Sequence, residues 1–483
     1  MSKKVLLINP RKGWRPALGL LYIASYLRQA GHQIKVLEFI DEDFFPGENV
    51  TNWEELHAYN PDIIGLGIIS WNRRIARDII AKIRQETQDK VIICGGKDPN
   101  FKPDYYLNNG VDFVVFGEGE HPIVELLNTL ESPTKKLDDV AGIGFLRNGQ
   151  MVTTPGAPLI SMDNLLFPAL DLVNFEHYTD IRLGGIPGHF IKTGFMMASR
   201  GCPYSCRFCT DPVRIRYRER SIDNVVEEIK WQMKNWQIDG MVLLDDLFYY
   251  RDDRVKEFCE RIIKEGIKLQ FYAQARADRI GSPETLALMK KAGFIQVAIG
   301  IESGSQRMLD IMDKRTQLDT MKEAVRKVEE AGIFSYIFLV VGFPEENLQD
   351  LEETAIFLEE VKPSFTTVNY FMPMPGTEYF NEEDKNALEE LTFSLTENQQ
   401  KFLSPVPHDD IIRFRNTFLS LAQRNANFNL LRYPSFYWWV FKLVLFRPMV
   451  LLRGLHKQKT QRSYTNYFEA IRTAMINNRI YGL

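Results

Sequence analysis

The 483-residue chain has only five cysteines, no apolar run long enough to cross a bilayer, and no excess of basic charge. Each shortage excludes something. Five thiols in so long a chain do not make a disulfide framework, so any clustering among them points to metal or redox chemistry in a reducing compartment. Lysine and arginine total 59 against 63 aspartate and glutamate, a formal charge of −4, which leaves no basic footprint for nucleic acid. The N-terminal MSKKVLLINP lacks the long apolar core and cleavage site of a signal peptide, which points to a cytoplasmic protein. The most aromatic stretch, FYWWVFKLVLF at 436–446, carries Lys442 and falls well short of the roughly 20 residues a spanning helix needs. It reads either as a buried C-terminal helix or as an interfacial one. In the second case Trp438 and Trp439 lie at headgroup depth and Arg447, Arg453 and Lys457 face anionic lipid, giving peripheral membrane contact. No internal repeat or low-complexity segment stands out.

What the chain does have is two alternating series of strand and helix patterns. The first holds strands at 4–9, 33–39, 62–70, 91–96 and 111–120, separated by helical spacing such as 17–31 and 75–87. This predicts an α/β domain over 1–145 with a doubly wound parallel sheet of the Rossmann or flavodoxin-like kind. Ligands of such sheets bind beyond the carboxyl ends of the strands. The loops there carry the candidate cofactor-binding residues Asn9, Ser70, Gly95, Gly96, Gly117, Glu118 and Gly119. A hairpin turning at Asn148–Gly149 and a connector rich in proline and glycine place a linker over 146–190.

From 191 to 380 a second series predicts a central (β/α)6 partial TIM barrel, with strands at 195–199, 241–246, 269–276, 296–303, 334–342 and 366–371. Reactive groups of such barrels sit at the carboxyl ends of the strands. The sequence puts a cysteine cluster after the first strand and Asp245 and Asp246 at the end of the second. Arg276 ends the third, Glu302 and Ser303 the fourth, and Gly342 follows the fifth. Residues 381–483 are expected to form a helical C-terminal region.

Three of the five cysteines fall within GCPYSCRFCT at 201–210, spaced C-x3-C-x2-C as Cys202, Cys206 and Cys209. A [4Fe–4S] cluster ordinarily takes four thiolates, so three leave one iron with an open position. Zinc would want a fourth Cys or His nearby, and none follows. Cys94 ends a strand elsewhere, and Cys259 lies mid-helix in EFCERIIK, where a small buried apolar residue is expected. A zinc knuckle or chance clustering is the alternative reading of the trio.

GCPYSCRFC resembles the signature of the radical S-adenosylmethionine superfamily, including Phe208 as the aromatic residue before the third cysteine. The resemblance extends to LLDDLFYY (243–250), GIESGS (300–305), VGFPEE (341–346) and PMPGTEYF (373–380). It implies that Cys202, Cys206 and Cys209 hold a [4Fe–4S] cluster whose fourth iron chelates S-adenosyl-L-methionine, cleaved on reduction to a 5′-deoxyadenosyl radical. An electron donor such as flavodoxin or ferredoxin is implied too. On this reading Arg276 meets the methionyl carboxylate, while Glu302 or Ser303 bonds ribose hydroxyls or the ammonium group. The N-terminal series is similar to the cobalamin-binding-like domain fused ahead of that barrel in a large subgroup. Two departures stand out: the Asp-x-His-x-x-Gly pattern is absent, and the GG-P-H segment reads Gly95-Gly96-Lys97-Asp98. Cobalamin binding and a vestigial, purely structural domain are the alternatives.

The resemblance implies a cobalamin-dependent methyltransferase acting on an unactivated carbon of a small-molecule or lipid-like substrate. A non-methylating radical cyclase, oxidoreductase or carbon–carbon coupling enzyme, with or without bound cobalamin, is the alternative, and a non-catalytic iron–sulfur sensor the remote one. A tRNA methylthiotransferase is disfavoured, because the N-terminal region offers Cys94 where a second cysteine trio would be needed.

Overall fold

The computed structural model describes residues 2–10, 13, 15–39, 52–179, 192–210, 216–380 and 403–430. The chain forms two compact units that interleave in sequence. One takes residues 1–178, 199–228 and 372–401; the other takes 179–198, 229–371 and 402–483.

The first unit opens with β1 (Lys4–Asn9), α1 (Leu18–Gln29), β2 (Gln33–Glu38), α2 (Asn52–Tyr59) and β3 (Ile63–Gly67). It continues with α3 (Arg73–Glu86), β4 (Val91–Gly95), α4 (Lys97–Phe101), α5 (Pro103–Leu107) and β5 (Phe113–Val115). Then come α6 (Glu120–Leu130), β6 (Ile143–Arg147), β7 (Gln150–Thr153) and α7 (Glu176–Thr179). The sheet order is β2-β1-β3-β4-β5-β6-β7. Strands β1 to β5 are parallel, and the β5–β6 and β6–β7 pairings are antiparallel. Runs such as VLLI in β1 and VIIC in β4 are nearly continuous apolar sequence, as strands covered on both faces require. Helix α3 buries Ala76, Ile79, Ile80 and Ile83 along one face, the spacing of a helix laid on a sheet. The expected doubly wound sheet is present, extended by the predicted hairpin through Asn148–Gly149. With β1 between β2 and β3, the switch of strand order falls between β1 and β3, where such sheets open a crevice.

Strand β8 (Thr193–Met196) belongs to the second unit, whereas the two-residue strands β9 (Ser199–Arg200) and β10 (Arg218–Glu219) pair antiparallel in the first. The series continues with α8 (Ile222–Trp236), β11 (Gly240–Leu243), α9 (Asp252–Lys264), β12 (Gln270–Ala275) and α10 (Pro283–Ala292). Next are β13 (Phe294–Glu302), α11 (Gln306–Ile311), α12 (Leu318–Glu330), β14 (Phe334–Val341), α13 (Leu348–Val361) and β15 (Phe365–Tyr370). The last described helix is α14 (His408–Leu430).

Strands β8, β11, β12, β13, β14 and β15 are parallel and lie side by side in sequence order, the six expected β/α units. Local sequence sets the helix limits. Ser282 accepts a bond from the Thr285 N–H to start α10, Pro283 fills its first turn, and left-handed Gly293 ends it. Asn347 and Asp350 form a reciprocal capping box at the start of α13. Among the described residues no helix is long and apolar enough to cross a membrane. The aromatic stretch 436–446 and the expected helical onset after 381 lie outside the described residues.

Candidate active site

The five cysteines divide sharply by environment. Cys94 and Cys259 are buried in the two cores, and burial pushes both thiols up, that of Cys259 to about 12. Cys202 and Cys206 are partly exposed and Cys209 is exposed, and none of the five is in a disulfide. The Cys209 N–H donates to the Cys206 carbonyl at 3.0 Å, a tight turn that carries Phe208 between the second and third thiols. Among the described residues no three His, Cys, Asp or Glu side chains converge on a single ion. A cubane does not require that, because each thiolate ligates a different iron, and three accessible thiols on one short loop fit such a donor set.

The cysteine loop is anchored within the first unit at its middle and at its base. Arg207 donates from Nε to Glu378 at 2.7 Å and lies over the Tyr379 ring, 5.0 Å from its centroid, both in the PMPGTEYF segment. At the base, Arg200 in β9 faces Arg218 in β10. Glu118, from the loop after β5, meets both: Arg200 at 3.3 Å, and Arg218 by a short hydrogen bond. Glu120 takes the other terminal nitrogen of Arg200 at 2.7 Å. Burial pushes the Glu118 carboxyl up, but Arg218 and Arg200 outweigh it and hold the group below the usual range. Glu118 therefore faces arginines, which sequence alone did not suggest.

The crevice loops of the N-terminal sheet are organised around Asp98. Its fully buried carboxylate accepts from Ser70 Oγ at 2.6 Å, from Arg73 at 2.8 and 2.7 Å, and from the Tyr106 hydroxyl. Burial, then the adjacent Asp98 carboxylate, pushes the Tyr106 phenol far up. Ser70 is thus committed to Asp98. Gly96 has φ +110°, and a Cβ there would lie 2.4 Å from the Ile68 carbonyl oxygen, so only glycine lets the β4 loop seat against the β3 loop. Asn100 ties that loop to the next, donating to the Gly96 carbonyl at 2.6 Å and accepting from the Gly117 N–H at 2.9 Å. Asn9 at the end of β1 is buried and donates to Glu38 at 3.4 Å. Gly95 abuts Val115, Gly119 precedes α6, and nothing lies within 4 Å of a Cβ placed on Gly117. At this edge Gly96 and Gly117 leave loop backbone exposed, while the Ser70 and Asp98 side chains are taken up by each other.

In the second unit each polar residue at the carboxyl edge has a partner. Asp245 is buried and accepts from the Ala198 N–H at 3.1 Å, while Arg254 donates to the Ala198 carbonyl at 3.3 Å. The chain is thereby pinned four residues before Cys202; Asp246 beside it is exposed. Arg276 donates to Asp278 at 2.9 Å, to the Lys314 carbonyl at 2.5 Å and to Thr316 Oγ1 at 3.0 Å. Glu302 ends β13 at φ +69°, a strained value for a non-glycine residue, and accepts from Lys314 Nζ at 2.8 Å. The turn at 313–316 therefore draws Arg276 and Glu302 together through buried Lys314, a residue sequence reasoning missed. Positive φ at Asp313 and Arg315 shapes that turn.

Ser303 is buried, its hydroxyl 3.4 Å from that of Thr354 in α13. The Gly342 N–H donates at 2.7 Å to Glu346, whose carboxyl burial raises to about 8.

Comparison with known proteins agrees with this architecture. Residues 196–358 match the radical SAM superfamily model and residues 4–127 match the B12 binding domain model. The chain is 28% identical to an uncharacterized methyltransferase of Pyrococcus horikoshii over 446 residues, covering 91% of this chain and 90% of that protein. It is 27% identical to the anaerobic magnesium-protoporphyrin IX monomethyl ester cyclase of Cereibacter sphaeroides, covering 76% of this chain and 60% of that one. Its fold is similar to that of the radical S-adenosylmethionine methyltransferase TsrM from Kitasatospora setae, solved with cobalamin and a [4Fe-4S] cluster bound. The TM-score is 0.62 at 19% identity, covering 81% of this chain and 76% of that one.

Proposed function

The chain is a radical S-adenosylmethionine enzyme with an N-terminal B12-binding domain, and from that premise we propose that it methylates an unactivated carbon of a small or lipid-like molecule. The observation that carries the reading is the contrast among the cysteines, two sealed in cores and three exposed or partly exposed on one loop. Cys202, Cys206 and Cys209 are the proposed ligands of the [4Fe–4S] cluster, leaving one iron for the amino and carboxylate groups of S-adenosylmethionine. When bound, these groups and cobalamin supply hydrogen-atom abstraction and methyl delivery.

The chain's own part is to bind and orient. Asp245 and Arg254 fix the strand end that leads into the cysteine loop. Arg276, Glu302 and Lys314 form a buried charged group at the barrel edge, suited to the charged and hydroxyl ends of the nucleoside cofactor. The loops at Gly96 and Gly117 offer backbone to the corrin. Reduction is assigned to a flavodoxin or ferredoxin, and a lipid-like substrate is suggested by the aromatic residues 436–446.

The cyclase relative supports a second reading, radical chemistry without methyl transfer. Anaerobic reconstitution with iron, sulfide and hydroxocobalamin tests the cofactor set on which methyl transfer depends. About four iron and one cobalt per chain, with 5′-deoxyadenosine formed and lost in Cys206→Ala, is the expected outcome. Cleavage by a protein that takes up no cobalt at saturation would favour the second reading.

A further inference from the structure

Strands β9 and β10 pair over two residues each, and β9 leads directly into the cysteines at 202–209. A ribbon that short is not stable alone. Its register also sets Arg200 directly opposite Arg218, and like charges directly opposite across a strand pair repel. Glu118 lies between them and meets both, whereas Glu120 takes Arg200. One Glu118 carboxylate oxygen meets both guanidinium groups, while the other accepts the Ile160 N–H at 3.4 Å. The Glu118, Arg200 and Arg218 side chains are largely shielded, at 10%, 12% and 16% exposure, so the attraction is weakly screened. Arg218 also donates to the Ile160 carbonyl at 2.5 Å, so the ribbon is fastened to backbone of the same unit.

We propose that Glu118 is a positioning residue that closes the cysteine loop and couples cluster loading to corrin binding. It sits one residue after Gly117 in the loop that Asn100 ties to Gly96. Ordering either end of this connection lowers the cost of ordering the other, and such coupling is reciprocal. The inference rests on the cofactor assignment above.

The experiment uses the full chain, wild type and Glu118→Gln, each with and without reconstituted iron and sulfide. Hydroxocobalamin affinity is read by absorbance titration, and backbone exchange of peptides within 201–210 by mass spectrometry. Wild type is expected to bind hydroxocobalamin at least fivefold more tightly when the cluster is loaded, the lower end of typical coupling. In Glu118→Gln that ratio should fall to within twofold of one, and the 201–210 peptides should exchange at least threefold faster. A role in overall stability alone would lower both affinities together and keep the ratio. A wild-type ratio of one, an undiminished ratio in the variant, or unchanged exchange overturns the proposal. If wild type takes up no hydroxocobalamin in either state, the cofactor assignment fails and the exchange comparison alone decides the loop-closing role. Should Glu118→Gln not fold, Arg218→Lys keeps the charge, loses the forked geometry and carries the same two readings.

Discussion

At the scale of single residues, the positions where the sequence departs from expectation have acquired physical jobs. Asp98 interrupts the pattern that the resemblance leads one to expect, and the structure makes it the acceptor for four hydrogen bonds from Ser70, Arg73 and Tyr106. Removing a buried charge partner costs about 3–5 kcal/mol, because the other charge stays behind unpaired. Asp98→Ala should lower the stability of the first unit by that amount in denaturant unfolding. A loss below about 1 kcal/mol would mean that Arg73 finds water instead. Neither the clamp nor the Glu302–Lys314 pair was legible in sequence, because a buried carboxylate and a surface one are the same letter. Their meaning comes from partners 25 and 12 residues away. The cysteine trio was legible because its spacing is itself the chemistry.

At the scale of elements, legibility followed length and periodicity. Helices 222–236, 283–292 and 348–361 are long enough for apolar spacing to mark them in the sequence, and capping residues set the limits of the last two. The short α11 and the β9–β10 ribbon were not anticipated; two to six residues carry too little pattern. Packing between elements was equally hidden. Gly304 follows β13 and lies so close to α13 that an added Cβ would sit 2.6 Å from Thr354 Cα and 2.7 Å from Phe357 Cβ. Its N–H bonds Thr354, and Ser305 bonds Asp350 in the same helix. Gly304→Ala must push α13 outward, and overpacking of this kind costs about 1–3 kcal/mol. Thermal unfolding should report the loss; an unchanged transition would show that the helix shifts freely.

At the scale of the whole molecule, chain order and compact units do not coincide. The first unit draws on residues 1–178, 199–228 and 372–401, so a cut within 180–191 would leave both fragments carrying part of it. Co-expressed fragments 1–185 and 186–483 should therefore co-purify, held by contacts such as Glu118 with Arg218 and the PMPGTEYF segment with α4. Separate elution would show that these contacts are too weak without a continuous chain. The expected α/β architecture and six β/α units were readable from strand spacing, but the return of the cysteine segment to the N-terminal unit was not. No local pattern records which distant segment a loop will join.

That return has a consequence for the order of events during synthesis. Arg207 waits for Glu378, which follows it by 171 residues, whereas Glu118 precedes Arg218 by 100. At 5–20 residues per second, roughly 9–34 s separate the emergence of the cysteines from that of their last anchor. The base of the loop can close early in translation, but its middle is fastened only near the end. In that interval the nascent thiols stand on a segment fastened at its base but not at its middle, the open state in which an iron–sulfur carrier would reach them most easily.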